Sequence, residues 1–291
     1  MNRNNNNNNK SGKKKHRVVV LERVIGTTTL HNNALSTNEK SGDVATLAGA
    51  TIVVYNPRKN RQRRFFRPKS DNNNKVKALS CVQFSPDGEW IAAGERGHEP
   101  CVHLFNLRSA KKYVSLKSEH KFSISCIRFS PNGKYIVSIG GFKQNQDLVV
   151  RTWQNERQKV VARARLESQV STLVFHESGR FFVTCGARGR VSFWYLDAQG
   201  NVTKDEMVGF LGGCTARFAR TDFVDVVCGR GACRADTYCI TSDGMYCLFS
   251  LTHTFSLSLS LSLSHIYIHK HTRRYTLLLW SKQNDGEMGS S

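Results

Sequence analysis

Long apolar runs, closely paired cysteines and acidic residues are scarce or missing in this chain. No stretch of eighteen or more apolar residues occurs, so we expect no membrane-spanning helix. Residues 1–10 hold an asparagine run without an apolar core, so we expect no secretory leader. The nine cysteines include no CxxC pair, which argues against a zinc site and favours reduced, buried thiols.

Familiar catalytic motifs are also missing. The sequence contains no P-loop, no GxSxG elbow, no HExxH helix motif and no Rossmann glycine fingerprint. We therefore expect a protein that is not an enzyme and that uses no cofactor and no metal.

Positive charge dominates what is present. The chain has 43 Lys and Arg against 22 Asp and Glu, for a formal net charge of +21. Such an excess favours an acidic partner, such as a nucleic acid, an acidic protein segment or a membrane surface. The alternative is a basic surface without a dedicated partner.

A repeated aromatic position organises the middle of the chain. Phe84, Phe129 and Phe175 stand 45 and 46 residues apart, and each is followed by a four-residue turn that ends in glycine. A period of this length, with aromatic residues recurring in each unit, is typical of a WD40-type β-propeller. The sequence therefore predicts an all-β fold whose loops and rims bind partners.

Period-two alternation divides each unit into short strands. The predicted strands are 44–48, 51–55 and 61–67; 78–84, 90–94, 101–107 and 111–117; 123–129, 134–140, 148–153 and 159–166; 170–181, continuing to 185, and 191–196; and 223–228, 238–241 and 245–250. They amount to an incomplete propeller of four to five blades over residues 18–250. Residues 1–17 are predicted to be disordered, and residues 18–21 to form a strand that completes the ring.

The segment 251–291 departs from the repeat. It alternates Ser with Leu between Ser256 and Ser264, and it also contains Ile-Tyr and His-Thr pairs. Repeated dinucleotides in a coding sequence produce such dipeptides, so we interpret residues 251–291 as a low-complexity tail outside the propeller. The alternative is an alternating strand that closes the last sheet.

One unit carries a hydrogen-bonding set, predicted as a structural tetrad of His120, Ser138, Asp147 and Trp153. A Ser, a His and an Asp could also form a hydrolase triad. No nucleophile elbow or oxyanion loop accompanies them, which favours a buried network that joins strand to loop. Units two and four hold Glu99 with Phe105 and Arg188 with Trp194 at the corresponding positions.

A basic stretch follows the first unit's second strand and interleaves Phe65 and Phe66. It could bind RNA or another polyanion, because cations contact phosphates and aromatic rings stack on bases. The alternative is an outer strand whose charges prevent pairing between sheets. Its seven cations are Arg58, Lys59, Arg61, Arg63, Arg64, Arg67 and Lys69.

Four specific sequence segments within and before the repeats resemble one family. The segments are Leu21-Glu-Arg-Val-Ile-Gly-Thr27, 47–55, the run from Phe84 through Gly94-Glu-Arg-Gly-His-Glu-Pro100, and 227–231. Over residues 18–250 they are similar to the N-terminal WD40 region of the family that contains WD repeat-containing protein 62 and mitogen-activated protein kinase-binding protein 1.

The resemblance implies a non-enzymatic scaffold with no catalytic residues to carry over. Members of this family are long proteins with tandem propellers and an extended C-terminal region, where the kinase-docking elements lie. They are associated with the JNK cascade and, in one branch, with centrosomes and spindle poles. The implied partners are therefore kinase-cascade, centrosomal or spindle proteins. The implied location is the cytoplasm, with the centrosome, the spindle pole or the nucleus as further sites.

Overall fold

Strands dominate the computed structural model of this chain. It describes residues 21–28, 31–69, 76–109, 112–141, 146–153, 158–197, 202–204, 221–250 and 268–270. Within these ranges the regular elements are twenty β-strands and three 3-10 turns. This confirms the predicted all-β class.

The strands form five four-stranded antiparallel sheets, and each sheet uses four consecutive strands. We name these sheets blades 1 to 5. Blades 1 and 2 contain β1 (Leu35–Thr37), β2 (Val44–Ala48), β3 (Thr51–Asn56) and β4 (Arg61–Phe66), then β5 (Leu79–Phe84), β6 (Trp90–Glu95), β7 (Cys101–Asn106) and β8 (Tyr113–Lys117). Blades 3 to 5 contain β9 (Ile124–Phe129), β10 (Tyr135–Gly140), β11 (Asp147–Thr152) and β12 (Val160–Arg165); β13 (Val170–Phe175), β14 (Phe181–Gly186), β15 (Val191–Leu196) and β16 (Val202–Lys204); and β17 (Phe223–Cys228), β18 (Asp236–Thr241), β19 (Met245–Ser250) and β20 (Ile268–Lys270).

The repeated phenylalanines end the first strands of blades 2, 3 and 4. The turn after each strand closes on a glycine with a positive φ, namely Gly88 at 69°, Gly133 at 68° and Gly179 at 67°. A side chain at Gly88 would also clash, because its Cβ would lie 2.8 Å from Asn38 Oδ1. Glycine is therefore required there both by the turn and by the approach of blade 1.

Apolar side chains between neighbouring blades form four separate core clusters. Phe66 of blade 1 packs on Phe105 of blade 2 with ring centroids 5.4 Å apart. Trp90 of blade 2 meets Trp153 of blade 3 edge-on at 5.6 Å. Each blade therefore buries its apolar faces only against its neighbours, as a propeller requires.

Blades 5 and 1 meet without such a cluster in the described part of the chain. Val224, Val227 and Ile240 of blade 5 are 37%, 56% and 44% exposed. Polar contacts join the two blades instead, including an ion pair at 2.9 Å between Arg230 Nη2 and Glu39 Oε1. Among the described residues the ring thus has no apolar cluster between blades 5 and 1, in line with the predicted incomplete propeller.

Three strands differ from the sequence-based expectation. β1 and β16 were missed, because each has only three residues and too few positions to display alternation. β20 lies inside the predicted tail yet pairs with β19, with Tyr246 opposite His269. The division of the chain after residue 250 stays a prediction, and the rest of 251–291 lies outside the described residues. The same holds for residues 1–20, while Leu21 is exposed and is not part of a strand.

Candidate functional site

His120, Ser138 and Asp147 are brought together in blade 3. His120 Nδ1 lies 2.8 Å from Asp147 Oδ1, and His120 Nε2 lies 2.8 Å from Ser138 Oγ. With the carboxylate accepting from Nδ1, the Ser138 hydroxyl donates to Nε2. Gly140 makes room for this network, since a Cβ there would lie 2.3 Å from His120 Nδ1.

Trp153 does not join this network. Its indole Nε1 donates to Gly133 O at 2.7 Å. The reason is register: Ser138 pairs with Val149, four residues before Trp153, so the indole reaches the turn at the far end of the sheet. The predicted tetrad therefore reduces to three hydrogen-bonded residues and a tryptophan with a different partner.

The order Ser–His–Asp resembles a hydrolase triad, but its surroundings oppose catalysis. Ser138 is 2% exposed in the middle of the central strand β10, and His120 is equally buried. A nucleophile must reach its substrate beside donors that stabilise an oxyanion. The geometry instead suits a structural role, in which His120 connects β10 and β11 to the loop that precedes blade 3.

Blade 2 contains a second network that the sequence analysis missed. His103 Nε2 lies 2.9 Å from Glu95 Oε1, and Tyr113 OH lies 2.7 Å from His103 Nδ1. Burial would raise the pKa of Glu95, but hydrogen bonds from His103 and from the Cys101 amide, with the nearby charge of Lys77, lower it overall. Burial also raises the pKa of Tyr113. The contributing residues come from three strands at unequal spacing, which hides the set in the sequence.

The corresponding positions proposed for units two and four have other roles. Glu99 lies in a loop with a φ of 47°, and Phe105 belongs to the core between blades 1 and 2. The Arg188 amide donates to Asp222 Oδ1 at 3.0 Å. Trp194 Nε1 donates to Thr184 Oγ1 at 2.9 Å, so this indole does bond to a hydroxyl within its own blade.

The seven cations of the basic stretch lie on β4 and its flanking loops. Arg63 forms an ion pair with Asp43 at 2.8 Å, and Lys69 Nζ lies 5.6 Å from the centre of the Tyr113 ring. Phe66 is buried against Phe105, and Phe65 is half-buried. These two rings therefore pack mainly within the propeller. All seven cations are exposed, namely Arg58, Lys59, Arg61, Arg63, Arg64, Arg67 and Lys69.

A network of buried hydrogen bonds centred on Asn33 lies among the inner strands of the propeller. Asn33, in the 3-10 turn before β1, is 1% exposed. Its Nδ2 donates to Ser125 O at 3.1 Å and to Ser171 O at 2.9 Å. Its Oδ1 accepts from Arg128 Nη2 and from Thr172 Oγ1, both at 2.9 Å. A residue from the start of the propeller thus connects blades 3 and 4.

Among the cysteines whose side chains the structure describes, Cys101 is half-buried, Cys233 is exposed and the others are buried, namely Cys81, Cys126, Cys185, Cys228 and Cys239. Burial raises the pKa of Cys81 to about 12 and that of Cys228 to about 11. Such thiols are poor nucleophiles at neutral pH. Among the described residues, no group of three His, Cys, Asp or Glu is placed to hold a metal ion. Nor do those residues include a helix long and apolar enough to cross a bilayer.

Comparison with protein families and curated proteins finds clear relatives. Residues 71–208 match the family model described as eukaryotic translation initiation factor eIF2A. Mitogen-activated protein kinase-binding protein 1 from Mus musculus is 36% identical over 231 residues, which are 79% of this chain and 15% of that protein. WD repeat-containing protein 62 from Mus musculus is 35% identical over 79% of this chain and 14% of that protein. The chain thus spans about a seventh of the length of these relatives.

Solved structures support the fold. The β-propeller domain of Cps50 (Swd1) from Myceliophteria thermophila superposes with a TM-score of 0.57 at 14% identity, covering 86% of this chain and 73% of that one. A chain of the mitotic checkpoint complex superposes with a TM-score of 0.56 at 15% identity, covering 75% of this chain and 63% of that one. At these identities the likeness concerns the fold alone, which is a WD40-type propeller.

Proposed function

Since the chain belongs to the family of mitogen-activated protein kinase-binding protein 1 and WD repeat-containing protein 62, we propose that it is a non-enzymatic scaffold that binds proteins of the MAP kinase cascade or of the spindle pole. The observation that carries this proposal is the similarity over 79% of the chain. The name of the first relative states that it binds a mitogen-activated protein kinase. The family resemblance adds JNK and the centrosome as candidate partners.

The geometry of the blades supports a binding role over a catalytic one. In the Ser–His–Asp arrangement of blade 3 the serine and the histidine are buried, and the described thiols with resolved shifts have raised pKa values. The rims of the blades, by contrast, present exposed charged loops to the solvent. We place the protein in the cytoplasm, with recruitment to the centrosome or spindle pole during division; the nucleus is the alternative location.

Proximity labelling in dividing cells tests this function. The full chain is fused to a biotin ligase, and biotinylated proteins are quantified against the free ligase. We expect enrichment of JNK-cascade or centrosomal proteins, and fluorescence of a tagged chain at spindle poles in metaphase. A labelling profile identical to that of the free ligase would contradict the scaffold.

The exposed cations of β4 favour a second candidate, binding of RNA or another polyanion. All seven basic side chains are exposed, and cations alone supply salt-dependent affinity for phosphates. Fluorescence anisotropy with a labelled single-stranded RNA, repeated over a series of salt concentrations, tests it. A steep fall in affinity with salt, absent in the Arg61→Glu/Arg64→Glu variant, would support this candidate. Equal binding by that variant would reject β4 as the site.

A further inference from the structure

Exposed large apolar side chains are concentrated at one junction in the described part of the chain. One of them belongs to blade 1, three belong to blade 5, and two belong to segment 21–28, which contacts blade 1. They are Leu35; Val224, Val227 and Ile240; and Leu21 and Ile25. The exception is Phe122, in the loop before blade 3. Such a concentration marks a surface that another segment or molecule covers.

Blade 5 turns one apolar face away from blade 4. Val226 and Cys239 lie opposite each other and pack in the core between blades 4 and 5. Side chains alternate along a strand, so the next residues, Val227 and Ile240, lie on the other face. Their exposed fractions are 56% and 44%. This face is the blade 5 wall of the junction.

Blade 1 presents the opposite wall. Leu35 lies opposite Thr46, whereas the neighbouring Ala45 and Leu47 belong to the core between blades 1 and 2. Leu35 therefore faces away from blade 2, and it is 49% exposed.

Segment 21–28 is held against this same wall. Gln62 lies opposite Tyr55 on the face of blade 1 that points away from blade 2. Its carboxamide accepts a hydrogen bond from the Val24 amide and donates one to Val24 O, both at 2.8 Å. The backbone of Val24 is thus fixed, while the side chain of Ile25 is 94% exposed.

The two walls form a groove that is closed at its inner edge. The first strands of successive blades are neighbours around the propeller axis. Asn32, just before β1, donates to Asp225 of β17 at 3.4 Å, so the walls meet near the axis. Because blades radiate from the axis, the walls diverge outward and leave an apolar groove between blades 5 and 1.

We propose that residues 275–280 of this chain pack into this groove and cover the blade 5 wall. These residues, Tyr-Thr-Leu-Leu-Leu-Trp, lie outside the described part of the chain. Their run of three leucines and a tryptophan is unfavourable in water, and the groove offers it an apolar surface. The proposal goes beyond the scaffold function, since it concerns how the ring is completed.

The place where β20 ends puts the groove within reach of this segment. His269, Tyr246 and Ile240 form one row across β20, β19 and β18. Neighbouring strands lie about 4.8 Å apart, so His269 and Ile240 are about 10 Å apart. Residues 271–274 span up to about 13 Å when extended. The opposite face of blade 5 is packed against blade 4, so the open apolar surface within reach is the wall of the groove.

The short connection favours this segment over a second copy of the chain. A flexible linker of a few residues gives a tethered segment an effective concentration on the order of millimolar. A second copy at micromolar concentration competes poorly with such a segment. The net charge of +21 also opposes self-association.

Tryptophan fluorescence of the full chain tests this docking. The emission of Trp280 is obtained as the difference between the spectra of the unmodified chain and of Trp280→Phe. We expect it at short wavelength and weakly quenched by acrylamide, because a docked indole is shielded from water. Val227→Asp places a charge in the wall and should shift this emission to longer wavelength and make quenching several-fold stronger.

Phe122→Asp is the matched control. Phe122 is 59% exposed, close to the 56% of Val227, but it lies beside His98 and far along the ring from the groove. The emission of Trp280 should therefore stay unchanged in this variant. Val227→Ser keeps the test valid if the charge impairs folding, which thermal melting reports.

The proposal would be overturned by a fully quenchable Trp280 in the unmodified chain, or by equal shifts in Val227→Asp and Phe122→Asp. Protection of Trp280 that disappears on dilution, together with a dimer in analytical ultracentrifugation, would assign the groove to a second copy and reject the intramolecular contact. None of these measurements involves a partner protein, so this proposal and the scaffold function fail independently.

Discussion

Asn33 Nδ2 donates a hydrogen bond of 2.9 Å to Ser171 O, although 138 residues separate the two in sequence. The same side chain accepts a hydrogen bond from Arg128. Because Asn33 is 1% exposed, loss of the side chain leaves its buried partners without their protein hydrogen bonds. The amide therefore fixes the position of the first blade relative to the third and fourth.

Replacing Asn33 by Ala should destabilise the fold by roughly 2 to 4 kcal/mol, because it leaves several buried groups without a partner. Chemical denaturation followed by tryptophan fluorescence measures the change. Asn32→Ala is the matched control, since Asn32 is exposed and its hydrogen bonds to blade 5 are long, at 3.4 and 3.5 Å. Equal losses in both variants would contradict a special role for Asn33.

Gly140→Ala should be strongly destabilising, by roughly 3 kcal/mol or more, because the new Cβ would overlap His120 Nδ1 and Asp147 Oδ1. Gly42→Ala is its control: Gly42 has a φ of 69° but open space around its Cα. That change should cost only the left-handed backbone term, roughly 1 to 2 kcal/mol. Thermal melting of both variants distinguishes the clash from the backbone term, and a smaller loss for Gly140→Ala would disprove the packing argument.

Glu95 should make stability depend on pH in the acidic range. Burial opposes its ionisation, but the hydrogen bonds from His103 and the Cys101 amide lower its pKa below the ordinary value of 4.5. A lowered folded-state pKa means that the carboxylate stabilises the fold above pH 4.5 and that this contribution disappears as the pH falls through the folded-state pKa.

Denaturation curves of the unmodified chain and of Glu95→Gln, recorded at several values between pH 6 and pH 3, check this dependence. The difference in unfolding free energy should be largest at the upper end and should shrink as the pH falls. A difference that stays constant over this window would show that Glu95 does not titrate with folding.

Thiol reactivity should follow burial. Cys233 is exposed, whereas Cys81 and Cys228 are buried with raised pKa values of about 12 and 11. Alkylation with iodoacetamide at mildly alkaline pH, mapped by mass spectrometry of peptides, should modify Cys233 first. Cys81 and Cys228 should react only after denaturant is added. Rapid native-state modification of Cys81 would mean that the interface between blades 2 and 3 opens.

Local patterns explain why the strands of blades 2 to 4 could be predicted. The predicted strands 134–140 and 148–153 lie within one residue of Tyr135–Gly140 and Asp147–Thr152. Alternation of apolar and polar residues and a glycine-containing turn are both visible within a short sequence segment. The sequence of a single repeat is therefore enough to predict its strands and turns. His120, Ser138 and Asp147 were found in the same way, because all three lie within one repeat.

Contacts between distant segments could not be predicted. The partners of Asn33 lie on β9 and β13, and the Glu95–His103–Tyr113 network depends on the register of three strands. The partner of Trp153 is a turn carbonyl, whose position is fixed by hairpin geometry and not by residue type.

The contact between Asn32 and Asp225 spans 193 residues, which has a consequence for biosynthesis. At roughly 5 to 20 residues per second, the ribosome adds Asp225 on the order of ten to forty seconds after Asn32. Throughout that interval the contact between the N-terminal turn and blade 5 cannot form, and the faces of the first blades that later blades cover stay open to the solvent. Nascent chains of this protein are therefore expected to engage chaperones until translation of the fifth blade is finished.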